Sequence, residues 1–379
     1  MTDNEQPGYA SRLMNERLQI KRIDQSEFDT MREEWNELLN QSASDSVFLR
    51  WEWMHTWWDI FKQKRRLLIL TARSNGRLVG IAPFYIETAG LLRTRYLKLC
   101  SEELSPDYLD IIAEKGQETE VARDIVNYII GCTGEWDVIA LDNLLANSIL
   151  LTDPSLFMDY SHTVRVTQTC PYIKIQGTFE HYYRTREGLV RFSLEKKHKK
   201  LIKEMKVNHA IVRDENGLAT ALDDLYLLHR KRAKEKGIQS NFLSPDVKRF
   251  HKEVGRLFLR DQILNLQFLY GDKNPISALY AFNYGNKTYY YQAGSDPEWG
   301  KWSVGGVLLY LTLQKAFNDG YDEFDLLKGA ESYKSLWSNA NREEMFLAVY
   351  NKNLRGSFWR ALNNLRSVLR TIKTRATAP

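Results

Sequence analysis

The chain has 379 residues, 43% of them hydrophobic and 27% charged, with a formal net charge of +5. That length holds two ordinary domains with ample core; so mild a basic surplus does not by itself imply nucleic acid, and no DNA partner is expected. Cys100, Cys132 and Cys170 stand far apart without Cys-x-x-Cys or Cys/His spacing, and the seven histidines are scattered. This pattern argues against a disulfide framework or a zinc site and for a reducing compartment. No signal-peptide core is visible and no stretch approaches the ~20 apolar residues of a membrane span. A cytoplasmic protein is expected, with room for peripheral contact at the inner face of a membrane.

Residues 1–17 read as a loose polar tail. Phe28, Met31, Trp35, Leu38 and Leu39 share one face of a helix. The string FLRWEWMHTWWDIF, residues 48–61, carries four tryptophans and is expected to bury them in the core. Leu67–Ala72, Leu78–Ile86 and Tyr96–Leu99 read as strands, the first two joined by an Asn75-Gly76 hairpin turn. Val121–Ile130 is helical and Trp136–Leu141 a buried strand; the helix lacks a glycine-rich start, since only Gly116 precedes it.

A connector of residues 161–189 follows, with some strand at Tyr172–Ile175. Residues 191–206, RFSLEKKHKKLIKEMK, form a basic amphipathic helix. It is either a solvated face or an attractor of anions. Ala219–Lys236 is a long helix ended by Gly237 and carrying His229, which is either structural or part of a site. Three strands, Ile263–Tyr270, Pro275–Tyr284 and Lys287–Ala293, turn at Gly271-Asp272 and Gly285-Asn286.

The stretch Gly294–Trp337 is richest in chemistry. Ser303 stands where a helix N-cap is wanted, followed by Val304, Gly305 and Gly306, and the helix runs to Gly320. Two glycines in a first turn cost roughly 1 kcal/mol each relative to alanine. They also bare backbone N–H groups, a seat for phosphate or pyrophosphate, although close helix–strand packing would explain them as well. A short strand, Glu323–Leu327, leads to Lys328-Gly329 and then to Glu331, Tyr333, Lys334 and Trp337. From Phe346 onward the chain has no acidic residue and seven Lys or Arg. Phe358, Leu362, Leu365, Leu369 and Ile372 give that region one apolar helical face. Residues 355–375 could lie on an anionic membrane or dock on the chain's own domain; both stand open.

Gly294-Ser295-Asp296-Pro297, Ser303 to Gly306, Phe324-Asp325-Leu326-Leu327-Lys328-Gly329 and Tyr333-Lys334-Ser335-Leu336-Trp337, with the tryptophan string, resemble the GNAT acyltransferase superfamily. More narrowly they are similar to its cellulose-biosynthesis-type acetyltransferase branch, with Leu326 where phenylalanine is usual. The resemblance implies an α/β fold of two GNAT-like domains in tandem, each a twisted mixed sheet flanked by helices. The expected units are a degenerate first domain over 18–160, which shapes the acceptor side, a second over 190–345, and a basic helix over 346–379.

It implies acyl-CoA as co-substrate, with no metal. The pyrophosphate would sit on Ser303, Val304, Gly305, Gly306 and Val307, and the pantetheine along Gln292-Ala293, whose backbone could serve the oxyanion. Tyr333 would protonate the departing thiolate and Asp325 would be the general base. Lys334 is grouped with them, though an exposed lysine better binds an anion than acts as a base. His229 and Asp296 would bind the acceptor. The expected activity is N-acylation of a cell-envelope amine: an amino sugar, a sphingoid base or an exopolysaccharide component, small or lipid-linked. A Fem-type transferase using aminoacyl-tRNA and a non-catalytic scaffold in envelope assembly are the alternatives.

Overall fold

The computed structural model describes residues 18–101, 104–190, 192–329 and 331–376; the expected tail, residues 1–17, lies outside the described residues. The strands are β1 (Gln19–Ile23), β2 (Arg65–Ser74), β3 (Arg77–Ala89), β4 (Thr94–Leu99), β5 (Ile112–Ala113), β6 (Val138–Leu145) and β7 (Ser161–Lys174). They continue as β8 (Asn208–Ile211), β9 (Leu264–Gly271), β10 (Asn274–Tyr284), β11 (Lys287–Ser295), β12 (Glu323–Asp325) and β13 (Ala340–Tyr350). All belong to one mixed sheet, in the order β1-β2-β3-β4-β6-β13-β7-β12-β11-β10-β9-β8, with β5 paired to β3.

Each half repeats one plan. Four antiparallel strands, β1 to β4 or β8 to β11, are followed by a parallel neighbour: β6 beside β4, and β12 beside β11. A parallel step needs a crossover. The helices Glu118–Gly131 and Val304–Asn318 supply it in the two halves.

The halves then exchange strands. β13, last in the chain, pairs with β6 of the first half, and β7, which follows the first half, pairs with β12 of the second. The 161–189 connector therefore begins as a 14-residue strand at the centre of the sheet. Strand β13 carries the chain to Tyr350, and the C-terminal helix begins at Leu354 rather than at Phe346. Much of β7 and the first half of β13 stay partly exposed, so polar residues fill positions where alternation would have marked a strand.

Aromatic burial joins the halves. Trp53, on the helix Trp51–Phe61, is fully buried, and its ring lies 4.8 Å from Phe250 and 5.8 Å from Phe282 in the second half. Glu52 beside it is also fully buried, held by Arg32 at 2.7 Å and Arg50 at 3.0 Å. Both arginines reach on to Asp261 of the second half at 3.0 Å, so the buried carboxylate is paired, as burial of charge demands. Among the described residues no helix is long and apolar enough to cross a membrane.

Candidate active site

The site is built where β11 leaves β12. Only Lys287, Thr288 and Tyr289 pair with β12. Beyond them β11 keeps β10 as its partner, and Tyr291 is an extra residue bulged between the Tyr280–Gln292 and Ala281–Tyr290 pairs. A bulge next to a parting pair of strands bends the strand and re-aims its side chains. The β12-facing edge of Tyr290–Ala293 is thereby opened.

Two cavities use that opening. A groove of about 280 Å³ runs past Ala293, Gly294, Ser295 and Asp296 to Ser303, Val304, Gly305 and Gly306 at the start of the crossover helix. A larger cavity of about 640 Å³ is lined by His229, Gln292, Glu331 and Lys334, and by Ser105 and Asp107 from the first half. Arg232, Tyr290, Ala293 and Tyr333 line both, so the two spaces meet there.

The helix start divides the two meanings of its glycines. A Cβ on Gly306 would stand 3.3 Å from Leu194, so that glycine serves packing against the helix Leu194–Met205. A Cβ on Gly305 would meet nothing nearer than Ser295 at 3.9 Å. The fold does not need a glycine at 305; the groove is kept open by it. Ser303 occupies the N-cap position, but in the left-handed region (φ 52°), and its side chain caps no backbone N–H. Its hydroxyl instead accepts from Lys197 Nζ at 2.8 Å, which brings a cation to the mouth of the groove. The expected anion seat extended to Val307, but the Val307 N–H donates to the Ser303 carbonyl at 2.9 Å, and Val307 is fully buried outside the groove. The bare N–H groups are those of Val304, Gly305 and Gly306.

The helix Glu215–Glu235 supplies the other wall and lies so close to β11 that a Cβ on Gly294 would sit 2.5 Å from the His229 nitrogen. His229 Nδ1 is 2.8 Å from Ser240 Oγ and Nε2 is 3.1 Å from Gln292 Oε1. Burial pushes the ring's pKa down to about 4, against the hydrogen bond to Gln292 and with help from Arg232, so it is neutral at pH 7. With Gln292 Oε1 accepting from Nε2–H and Ser240 donating to Nδ1, both ring nitrogens are committed, and His229 orients the Gln292 amide.

Arg232, one turn further along that helix, was not singled out in the sequence, although its spacing of three from His229 puts both on one face. Its guanidinium donates to the Ala293 carbonyl at 3.2 Å and lies 5.8 Å from the centre of the Tyr333 ring. Tyr333 is hydrogen-bonded to Tyr290, and burial, with Tyr290 next, holds its pKa well above the usual value despite Arg232. It remains a phenol, a proton donor, throughout the neutral range.

Asp325 stands apart from these groups. It is fully buried and lines neither cavity. Its Oδ1 accepts from Tyr108 Oη at 3.0 Å and from the Leu327 N–H at 2.8 Å, which pins Leu327 in the left-handed region (φ 56°). Burial raises its pKa to about 7 against the opposing charge of Arg342. This geometry fits a turn-holding residue rather than the general base expected of it. Lys334, expected to be exposed, is buried: its ammonium donates to the carbonyls of Lys328 at 2.6 Å and Leu327 at 3.3 Å and meets Glu331 at 3.2 Å. Asp296 lines the groove and not the larger cavity; it caps Glu298 at 3.1 Å and is ion-paired with Lys231.

The loop carrying Tyr333 is anchored on the first half. The Lys328 N–H donates to Asp107 Oδ2 at 2.6 Å, and its ammonium reaches Asp107 Oδ1 at 3.0 Å and Asn143 at 2.8 Å. Residues this far apart in the chain gave no signal of partnership beforehand.

Residues 190–335 match the family described as "Acetyltransferase (GNAT) domain". Among solved structures, the chain resembles FemX, with a TM-score of 0.63 at 10% identity over 88% of this chain and 98% of that one. It also resembles the C-terminal domain of a putative lysylphosphatidylglycerol synthetase from Agrobacterium fabrum (TM-score 0.54, 10% identity, 89% and 97% covered). A third is L-PGS from Bacillus licheniformis (TM-score 0.53, 10% identity, 90% and 96% covered). At such identities the likeness establishes the fold. None of the curated proteins matches the chain.

Proposed function

We propose that the protein is an N-acyltransferase that takes an acyl group from acyl-CoA and passes it to an amine of a cell-envelope precursor, an amino sugar, sphingoid base or exopolysaccharide component. One observation carries the reading: the groove at the bare helix start and the cavity between the halves meet at Arg232, Tyr290, Ala293 and Tyr333. A donor and an acceptor entering from opposite sides would touch there and nowhere else in either space.

In this reading the pyrophosphate rests on the N–H groups of Val304, Gly305 and Gly306, favoured by the helix dipole and by Lys197. The pantetheine arm follows the opened edge of β11. The amine enters from the larger cavity, and its proton leaves toward Glu331, the exposed carboxylate on that side. As the amine nitrogen bonds to the carbonyl carbon and the C–S bond breaks, the Tyr333 hydroxyl protonates the thiolate. Arg232 compensates the negative charge that develops. Asp325 and Lys334 hold the loop that presents Tyr333.

The basic helix Leu194–Met205 beside the groove favours a second reading, Fem-type transfer from aminoacyl-tRNA, because its lysines would suit a nucleic-acid backbone as well as the CoA phosphates. Thiol release from acetyl-CoA with a panel of envelope amines tests the first reading. Tyr333→Phe should then lower kcat by about a hundredfold with KM little changed. Thiol release unaffected by Tyr333→Phe would remove the tyrosine from the chemistry. Transfer only from charged tRNA would install the second reading.

A further inference from the structure

The start of the C-terminal helix Leu354–Ala376 is held to the sheet by Trp359, which packs beside Tyr96 on Val138, Ala140, Ala348 and Tyr350, and by polar contacts. Trp359 Nε1 donates to Thr94 Oγ1 at 2.8 Å, Arg360 to Ser161 Oγ at 3.3 Å and Asn363 to Thr163 Oγ1 at 3.1 Å. Leu354, Phe358 and Leu365, spaced along one helical face, are left exposed, Leu354 at 91% and Phe358 at 48%. The bond to Thr94 also fixes what lies beside them. Thr94 ends the turn between β3 and β4, where Leu91 is 104% exposed and Leu92 also faces solvent. Asp137 ties the same two elements, accepting from Arg95 of β4 and from Asn353 at the helix start. Two chain segments 265 positions apart are thus joined, and each carries exposed apolar side chains near the bond.

The charged side chains of the Gly90–Arg93 turn and of residues 351–365 are all basic. Arg93, Lys352, Arg355 and Arg360 are exposed around these residues, and the sequence from Phe346 to the end has no acidic residue. Asp137 at the helix start is buried and answers Arg95, Asn353 and, at 3.7 Å, Arg355. Water-exposed leucines at a turn tip gain nothing from a polynucleotide, which would reward the arginines alone. Apolar side chains ringed by cations match the interface of an anionic bilayer, where the first enter the acyl boundary and the second meet phosphates.

We propose that this surface, the Gly90–Arg93 turn with the first three turns of the C-terminal helix, is a docking face for anionic lipid membranes. It goes beyond the acyl-transfer reading and does not depend on it. The test is flotation of the full chain with vesicles of phosphatidylcholine alone and of phosphatidylcholine with about one-third phosphatidylglycerol. The chain floats with the anionic vesicles, releases in high salt, and stays behind with the neutral ones. Replacing both turn leucines, Leu91→Asp with Leu92→Asp, lowers partition about a hundredfold, at roughly tenfold per buried leucine. These two sit in an exposed turn, and Leu354→Asp, equally exposed, is an independent second variant; circular dichroism verifies the fold of each. Failure to float with anionic vesicles, flotation that ignores the leucines, or stronger retention on single-stranded RNA than on lipid overturns the proposal.

Discussion

The two halves of the sheet make the same β–α–β crossover and treat its helix start in opposite ways. In the second half the helix opens on Val304-Gly305-Gly306 with no acid in its first turn and no side-chain cap. In the first half the corresponding helix opens with Glu118 and Glu120, and Glu118 accepts from the Gly116 N–H at 2.8 Å. The positive end of one helix has no acid in its own first turn; that of the other is answered by the chain's own carboxylates. The first half contributes Ser105 and Asp107 to the larger cavity and anchors the loop that leads to Tyr333.

The largest effect expected from breaking this comparison is at Gly294. Its Cβ would collide with backbone, 2.5 Å from the His229 nitrogen, whereas at Gly80, in the first half, it would meet side chains, those of Val121 at 2.4 Å and Ala72 at 3.0 Å. Denaturant unfolding should show Gly294→Ala costing about 3 kcal/mol or more and Gly80→Ala less than that. Arg232→Ala should lower kcat/KM for thiol release by about a hundredfold, with Arg232→Lys only partly restoring it, since an ammonium lacks the planar fork. In the first half, Glu118→Gln should leave that rate unchanged.

Asp325→Asn sharpens the comparison through pH. A buried carboxyl whose folded pKa is raised binds its proton more tightly in the folded chain. It therefore favours folding at low pH, and stability falls as pH rises from the unfolded value, about 3.9, to the folded value of about 7. The groups facing it are Arg342, Tyr108 and Glu323, with Asp107 beyond. The variant should flatten the unfolding profile across that window and retain most of its thiol release; loss of activity with unchanged stability would restore Asp325 as a catalytic group. The smallest effect is on stability at Gly305→Ala, which should gain up to about 1 kcal/mol from helix propensity. Donor affinity, in contrast, should fall.

Much of this was legible in advance because local rules govern it. The aromatic helix, the antiparallel strands, the bare helix start and Tyr333 all announce themselves by periodicity, turn residues or motif. Of the central strands only the end of β7, at Tyr172–Lys174, was legible; the rest of β7 and all of β13 were not, because polar residues fill their partly exposed faces. Nor did the site's long-range partners: Arg232 lay within a run of basic residues, and nothing local links Lys328 to Asp107. Asp325 shows the converse, since a motif gives the position of a carboxylate but not whether its side chain faces a cavity or the turn behind it.

Calorimetric titration of the full chain with CoA and acetyl-CoA, on the wild type and on Gly305→Glu, tests the central claim most directly. The 305 position has room for a side chain, so the variant should fold. The expected result is micromolar binding by the wild type and none by the variant. A folded wild type that binds neither ligand, or a variant that binds them equally well, would contradict a donor seat at this helix start.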